Sequence, residues 1–217
     1  MLRQLLLAAL ACVACSASRP VAAAVFQRDW KSPGDGLFTY DDVSGREWLV
    51  LTQTVLTELP GTTREAKIGY VQGQTNAGGV YAGFSLAGRD DITQLAESAG
   101  IDVSTQDFAA NNAAAVPLIE LLGKTHSYSG GIAFSVGFLK EVPGSRLGFQ
   151  IFADGTNSPS RAGLSINNNS DTLSFRAGVA LYRQAIPEPS TFAIAATGAF
   201  AVTTIRRSGC KPRRRRV

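Results

Sequence analysis

Apolar positions recur along this chain with two periods, and the change between them divides its middle in two. In the second half Ile132, Phe134, Val136 and Phe138 alternate with small or polar residues, the two-residue period of a strand with one apolar face. Residues 141–145, with Pro143 and Gly144, turn the chain into Leu147, Phe149 and Ile151. Residues 154–157 turn it again into Leu164 and Ile166, and residues 167–171 lead to Leu173, Phe175, Ala177, Val179 and Leu181. Strands joined by such loops predict an antiparallel meander. The first half is mixed. Residues 37–40 and 47–51 read as short strands around a turn at 41–45, while 56–59 fits neither period. Asp90 and Asp91 head a helix whose apolar positions Ile92, Leu95, Ala96 and Ala99 fall at helical spacing, and Gly100 ends it. A second helix starts near Pro117, an allowed first-turn residue, and runs through Leu118, Ile119, Leu121 and Leu122 to Gly123. Together these predict an α+β fold, with two short helices plus an antiparallel meander sheet of about four to six strands.

The two ends follow neither pattern. Arg3 precedes residues 5–14, apolar at every position, and after a short polar break the chain reads Val21-Ala22-Ala23-Ala24. A charged start, an apolar run and small residues Ala22 and Ala24 at −3 and −1 predict a signal peptide over residues 1–24, cleaved after Ala24. The run is too short to span a bilayer core of about 30 Å. At the other end Ile186-Pro187-Glu188-Pro189-Ser190-Thr191 is followed by the uncharged stretch 192–205 and a basic tail, 206–217. Two prolines that lack an N–H and hold φ near −65° make this motif an extended, accessible segment. The stretch 192–205 predicts a membrane helix, and the arginines after it stay on the cytoplasmic side. Residues 25–185 are then one exported domain between a leader and a tail.

Pro187, Glu188 and Pro189, the stretch 192–205 and the terminal arginines, in that order at the end of the chain, closely resemble the PEP-CTERM sorting signal of Gram-negative and related bacteria. The resemblance implies export through the Sec machinery and transient anchoring in the inner membrane. It further implies cleavage at or near Pro187–Ser190 by the membrane enzyme exosortase, then release to the cell surface or an extracellular matrix, with exopolysaccharide as a further partner. Arg206, Arg207, Arg213, Arg214, Arg215 and Arg216 would form the membrane stop. Two features depart from the pattern: 192–205 is short and threonine-rich, and residues 208–212 interrupt the arginines. Residues 35–41 and 45–49, an aspartate-rich turn before Trp48-Leu49, are also similar to the opening of many exported proteins of this class. Some of those domains resemble C-type-lectin-like or DUF1566-type modules, and no ligand residue carries over.

Charge supports this division. The chain has a formal charge of +4, but residues 25–186 hold 12 of the 21 bases and 16 of the 17 acids. The domain itself is acidic, which argues against a basic nucleic-acid-binding surface. Of the three cysteines, Cys12 and Cys15 leave with the leader and Cys210 lies in the tail, so the domain is held without disulfides and offers no thiol chemistry.

Catalytic constellations are hard to assemble. His126 is the only histidine, in a stretch that reads as a loop, and residues 83–87 lack the last glycine of a nucleophile elbow. Two-histidine metal sites are excluded. Asp41-Asp42 and Asp90-Asp91 read as turn and cap residues. Asp154 and Asp171 sit beside asparagines, yet neither matches a calcium loop. Trp30, Trp48, Tyr70, Tyr81, Tyr128 and Tyr182 are candidates for a sugar platform, against the commoner reading that they are core. No catalytic residue, metal or cofactor is assigned. The expected role is that of a non-catalytic structural or glycan-binding surface protein. The rival readings are a carboxylate-dependent hydrolase of surface polysaccharide and an uncleaved tail-anchored envelope protein.

Overall fold

A computed structural model describes residues 25–128, 132–140, 147–155, 159–167 and 176–186. In chain order the elements are β1 (Val25–Arg28), β2 (Phe38–Asp41), β3 (Arg46–Leu49), two 3-10 turns (Leu51–Thr54 and Leu56–Glu58) and α1 (Arg64–Gln74). There follow β4 (Ser85–Leu86), α2 (Arg89–Ser98), α3 (Phe108–Leu122), β5 (His126–Tyr128), β6 (Ile132–Phe138), β7 (Gly148–Asp154), β8 (Arg161–Asn167), β9 (Gly178–Val179) and β10 (Leu181–Gln184). The fold is α+β. Its first sheet is antiparallel with strand order β1-β2-β3-β10-β4, and its second is the meander β5-β6-β7-β8 with β9 added parallel to β6.

The chain crosses from one sheet to the other at Ala180. Gly178 and Val179 pair with Gly137 and Phe138 of β6, and Leu181 and Tyr182 then pair with Leu86 and Ser85 of β4. Ala180 donates to the Phe138 carbonyl (3.0 Å) and accepts from the Ala87 N–H (2.9 Å). The buried Thr54 adds a second stitch: its hydroxyl accepts the Val179 N–H at 2.9 Å and lies 2.8 Å from the Val179 carbonyl, where a neighbouring strand would bond.

Helix α3 lies on the inner face of the second sheet. Ala133, Ser135 and Gly137 of β6 face it alongside Phe149, Ile151 and Ala153 of β7, as the register requires. The small residues of β6 let the helix approach closely, and Leu118, Ile119 and Leu122 are buried there, each side chain worth about 1.5–3 kcal/mol. The last carbonyls of a helix have no partner within it. Here the Ser135 hydroxyl lies 3.1 Å from the Ile119 carbonyl and 3.0 Å from that of Gly123, and Thr39 of the first sheet donates to the Leu121 carbonyl at 2.8 Å. A second core lies between the outer face of β6 and the first sheet, built on Phe38, Leu49, Leu56, Ile68, Val71, Phe138 and Leu181.

Several expectations change. Helix α3 begins at Phe108, capped by Asp107 accepting from the Ala110 N–H at 2.8 Å, and Pro117 lies inside it. Residues 108–116 are mostly alanine and asparagine, without the apolar stripe that marks a helix. α1 was not expected either, because it buries only Ile68 and Val71. The last predicted strand is not the fourth of the meander; it divides into β9 and β10, and residues 171–175 lie outside the described residues. β5 supplies the remaining strand. His126, expected in a loop, opens β5 opposite Phe134. The predicted leader, motif and tail lie outside the described residues, and no helix among those residues is long and apolar enough to cross a membrane.

Candidate functional site

Five aspartates of the first half, Asp29, Asp35, Asp41, Asp91 and Asp102, accept backbone N–H groups. Asp35 accepts four N–H groups of its own loop, from Trp30 (2.8 Å), Lys31 (2.7 Å), Ser32 (2.9 Å) and Leu37 (3.2 Å). Desolvation raises its pKa, but the backbone hydrogen bonds outweigh it and hold the carboxyl below the usual range. Asp29 accepts from Gly34 (2.8 Å) and Gly36 (2.9 Å) in the same loop. Asp41 accepts the Ser44 hydroxyl at 2.6 Å and the Val43 N–H at 3.0 Å. Asp91 closes the start of α2 by accepting the Gly88 N–H at 2.7 Å and pairs with Arg46 at 2.9 Å. One member of each aspartate pair, Asp41 in the turn and Asp91 at the helix start, does turn or cap work. Asp102 is likewise held below its ordinary value by the Ser104 hydroxyl and N–H.

Among the described residues the tryptophans and tyrosines do not assemble a platform. Trp48 is 1% exposed and packs on Tyr182 on one face of the first sheet. Trp30, Phe38, Tyr81 and Phe84 cluster on the other, with centroid separations between 5.8 and 6.5 Å. Tyr81 donates to the Gln53 carbonyl at 2.8 Å, and burial, with Tyr70 adding to it, raises its pKa. Glu47 is buried beside this cluster, 2.8 Å from Arg183 Nε and 3.6 Å from Arg28. Arg183 lies over the Phe38 ring (4.4 Å) and Arg28 over Tyr40 (3.8 Å), so this charge network braces the sheet. The side chain of Tyr128 and all of Asp171 lie outside the described residues. Ser85 pairs with Tyr182 in β4 rather than sitting at an elbow.

Among the described residues, a concave feature lined by polar and aromatic side chains lies on the outer face of the second sheet. A depression of about 240 Å³ is lined by Phe134 of β6, Gln150, Phe152 and Asp154 of β7, Arg161 and Ser165 of β8, and Gln106. The register explains the grouping: Phe134 lies opposite Phe152, Gln150 opposite Ser165 and Asp154 opposite Arg161, while Gly163 faces Phe152 without a side chain. The two rings, 6.4 Å apart and tilted by 31°, form an apolar floor, ringed by two amides, a hydroxyl, a guanidinium and one carboxylate. At 240 Å³ it is smaller than the roughly 300–1,000 Å³ of ordinary small-molecule pockets. Sequence reasoning missed these residues, apart from Asp154, because their polar positions look like the solvent side of a meander. A second recess of about 190 Å³, between α3, Val25 and Ala99, is lined by alanines, leucines, a valine and Pro117, and offers no polar side chain.

Among the described residues no three potential metal ligands cluster. Compared with known proteins, the chain matches no family model, no curated protein and no solved structure.

Proposed function

We propose that this chain is exported and sorted as a PEP-CTERM substrate, with the α+β body flanked by a cleaved leader over residues 1–24 and a transient membrane helix over 192–205. The observation that carries this reading is the order of three features at the end of the chain: Pro187-Glu188-Pro189, an uncharged stretch and an arginine cluster. One further fact supports it: the last strand ends at Gln184, three residues before Pro187, so cleavage at the proposed motif leaves every described strand intact.

In the released protein the body plays a non-catalytic part at the cell surface or in its matrix, taking a polysaccharide chain across the Phe134/Phe152 depression. A sugar ring offers C–H groups to the aromatic floor and hydroxyls to Gln106, Gln150, Ser165 and Arg161. Among the described residues, Asp154 is the carboxylate that lines the depression. The test is the intact mass of protein from surface and inner-membrane fractions, with and without the host exosortase. A species running from Val25 to the Pro187–Ser190 region, formed only with the enzyme, supports the reading. A full-length tail under both conditions overturns it in favour of a simple tail anchor.

A further inference from the structure

Asp154 lines the Phe134/Phe152 depression, and the glycan reading above gives it no role. Gln150, Phe152 and Asp154 alternate along β7 and line the depression together, so it follows the strand for about 13 Å. The Phe152 ring stands between an amide at one end and a carboxylate at the other. Arg161 of β8 lies directly opposite Asp154, which sets the two Cβ atoms about 4.5–5.5 Å apart. A charged acceptor and a charged donor therefore share one end of the depression.

That pairing discriminates between sugars. A carboxylate accepts and a guanidinium donates, so one hydroxyl of a sugar ring gives its proton to Asp154 while the oxygen of its neighbour accepts from Arg161. Hydrogen bonds with one ionised partner are roughly twice as strong as neutral ones. A carboxylate has about four acceptor positions, so Asp154 can take a hydroxyl alongside its contact within the protein. An acidic sugar fares worse. By itself Arg161 would draw a uronate carboxylate into the depression; opposite Asp154 that attraction is offset, while the charge of the ligand must still be stripped of water. Asp107, bridged to Arg161 through the backbone, is a second acid at this end, with one oxygen accepting the Ala110 N–H. The body as a whole also repels anions, with 16 acids against 12 bases over residues 25–186. Specificity is a difference between two affinities, and here the attraction of neutral rings and the repulsion of acidic ones act in the same direction.

We propose that the depression takes an uncharged sugar unit and turns away uronic-acid chains, with Asp154 as the specificity-determining residue. The inference rests on the glycan reading above and adds the class of polysaccharide.

The test uses the full chain in detergent, with polygalacturonate, polyglucuronate and polymannuronate as probes. Each is measured beside its carboxyl-reduced form, which carries a hydroxymethyl group in place of the carboxylate. At low ionic strength the neutral form should bind about tenfold more tightly than its acidic parent. The gap should narrow in molar salt, where screening shortens to about 3 Å. Asp154→Asn keeps an acceptor oxygen and removes the charge, so it should strengthen binding of the acidic form several-fold and weaken that of the neutral form. Gln150→Ala, at the other end of the depression, should weaken both forms alike and leave the preference unchanged. Acidic forms that bind the unaltered chain as tightly as neutral ones at low ionic strength, or a preference that Asp154→Asn does not move, overturn the inference. If none of the six polymers binds, or if binding is indifferent to Gln150→Ala and Asp154→Asn alike, the glycan reading of the depression itself is overturned.

Discussion

Asp35 shows how a single side chain fixes a stretch that has no regular structure. Its carboxylate gathers four N–H groups that would otherwise face water or each other, and each bond favours the ionised form. With the folded pKa depressed, its stabilisation is complete above the unfolded value of about 3.9 and is lost as pH falls through the folded one. Asp102 acts in the same direction. Acid unfolding should therefore steepen below about pH 4, and Asp35→Asn should flatten that limb in a urea titration repeated across pH. An unchanged limb would show that the loop contributes no linkage. Gly178 answers to packing rather than charge. A Cβ there would land against the Leu51 carbonyl oxygen, and neither backbone can yield without breaking the β6–β9 pairing. Gly178→Ala should cost about 1–3 kcal/mol, the usual range for overpacking, read as a fall in the urea midpoint. In the depression, Gln150→Ala and Arg161→Ala remove polar edges without touching the core. Each should weaken polysaccharide binding about tenfold, or about 1.4 kcal/mol, while leaving the urea midpoint unchanged.

At the scale of elements, α3 is held from both sheets through its C-terminal carbonyls. Ser135→Ala removes the hydroxyl shared by Ile119 and Gly123 and leaves buried acceptors without that donor, at about 1–3 kcal/mol. Thr39→Val removes the corresponding bond from the first sheet. Because the two act on one helix end, the double variant should be non-additive in a double-mutant cycle; strict additivity would mean that the sheets hold the helix independently. The legibility of these elements follows from the same contacts. β6, β7 and β8 were readable because alternate residues meet different surroundings, and α2 because Ile92, Leu95 and Ala96 face one core. α3 was half readable: Leu118, Ile119 and Leu122 carry a pattern, while the preceding Ala and Asn residues are helical because Asp107 caps them and Asn111 is tied down. The Asn111 side chain accepts the Asp102 N–H at 2.7 Å and donates towards the Asp102, Thr105 and Ala162 carbonyls. No period encodes such bonds. The depression was illegible for a related reason: its residues come from four separate segments and are brought together only by strand register.

At the scale of the whole molecule, the two sheets form one folding unit because residues 178–184 belong to both. β10 is an inner strand, paired with β3 on one side and β4 on the other, and Leu181 is fully buried. Removing it would leave β3 and β4 with unpaired edges and expose the core over Phe38, Phe84 and Leu49. It would also take Arg183 from Glu47 and leave Arg28 as the remaining base beside that carboxylate. The proposed sorting signal begins at Ile186, two residues after this strand, so the position of the cut separates two outcomes. A chain ended after Ile186 keeps every described strand and should unfold cooperatively, with a urea midpoint matching that of the full chain. A chain ended after Ala180 should lack a cooperative transition by circular dichroism. If the shorter chain folds as well as the longer one, β10 is dispensable. The proposed processing at Pro187–Ser190 would then owe its safety to something other than the boundary at Gln184.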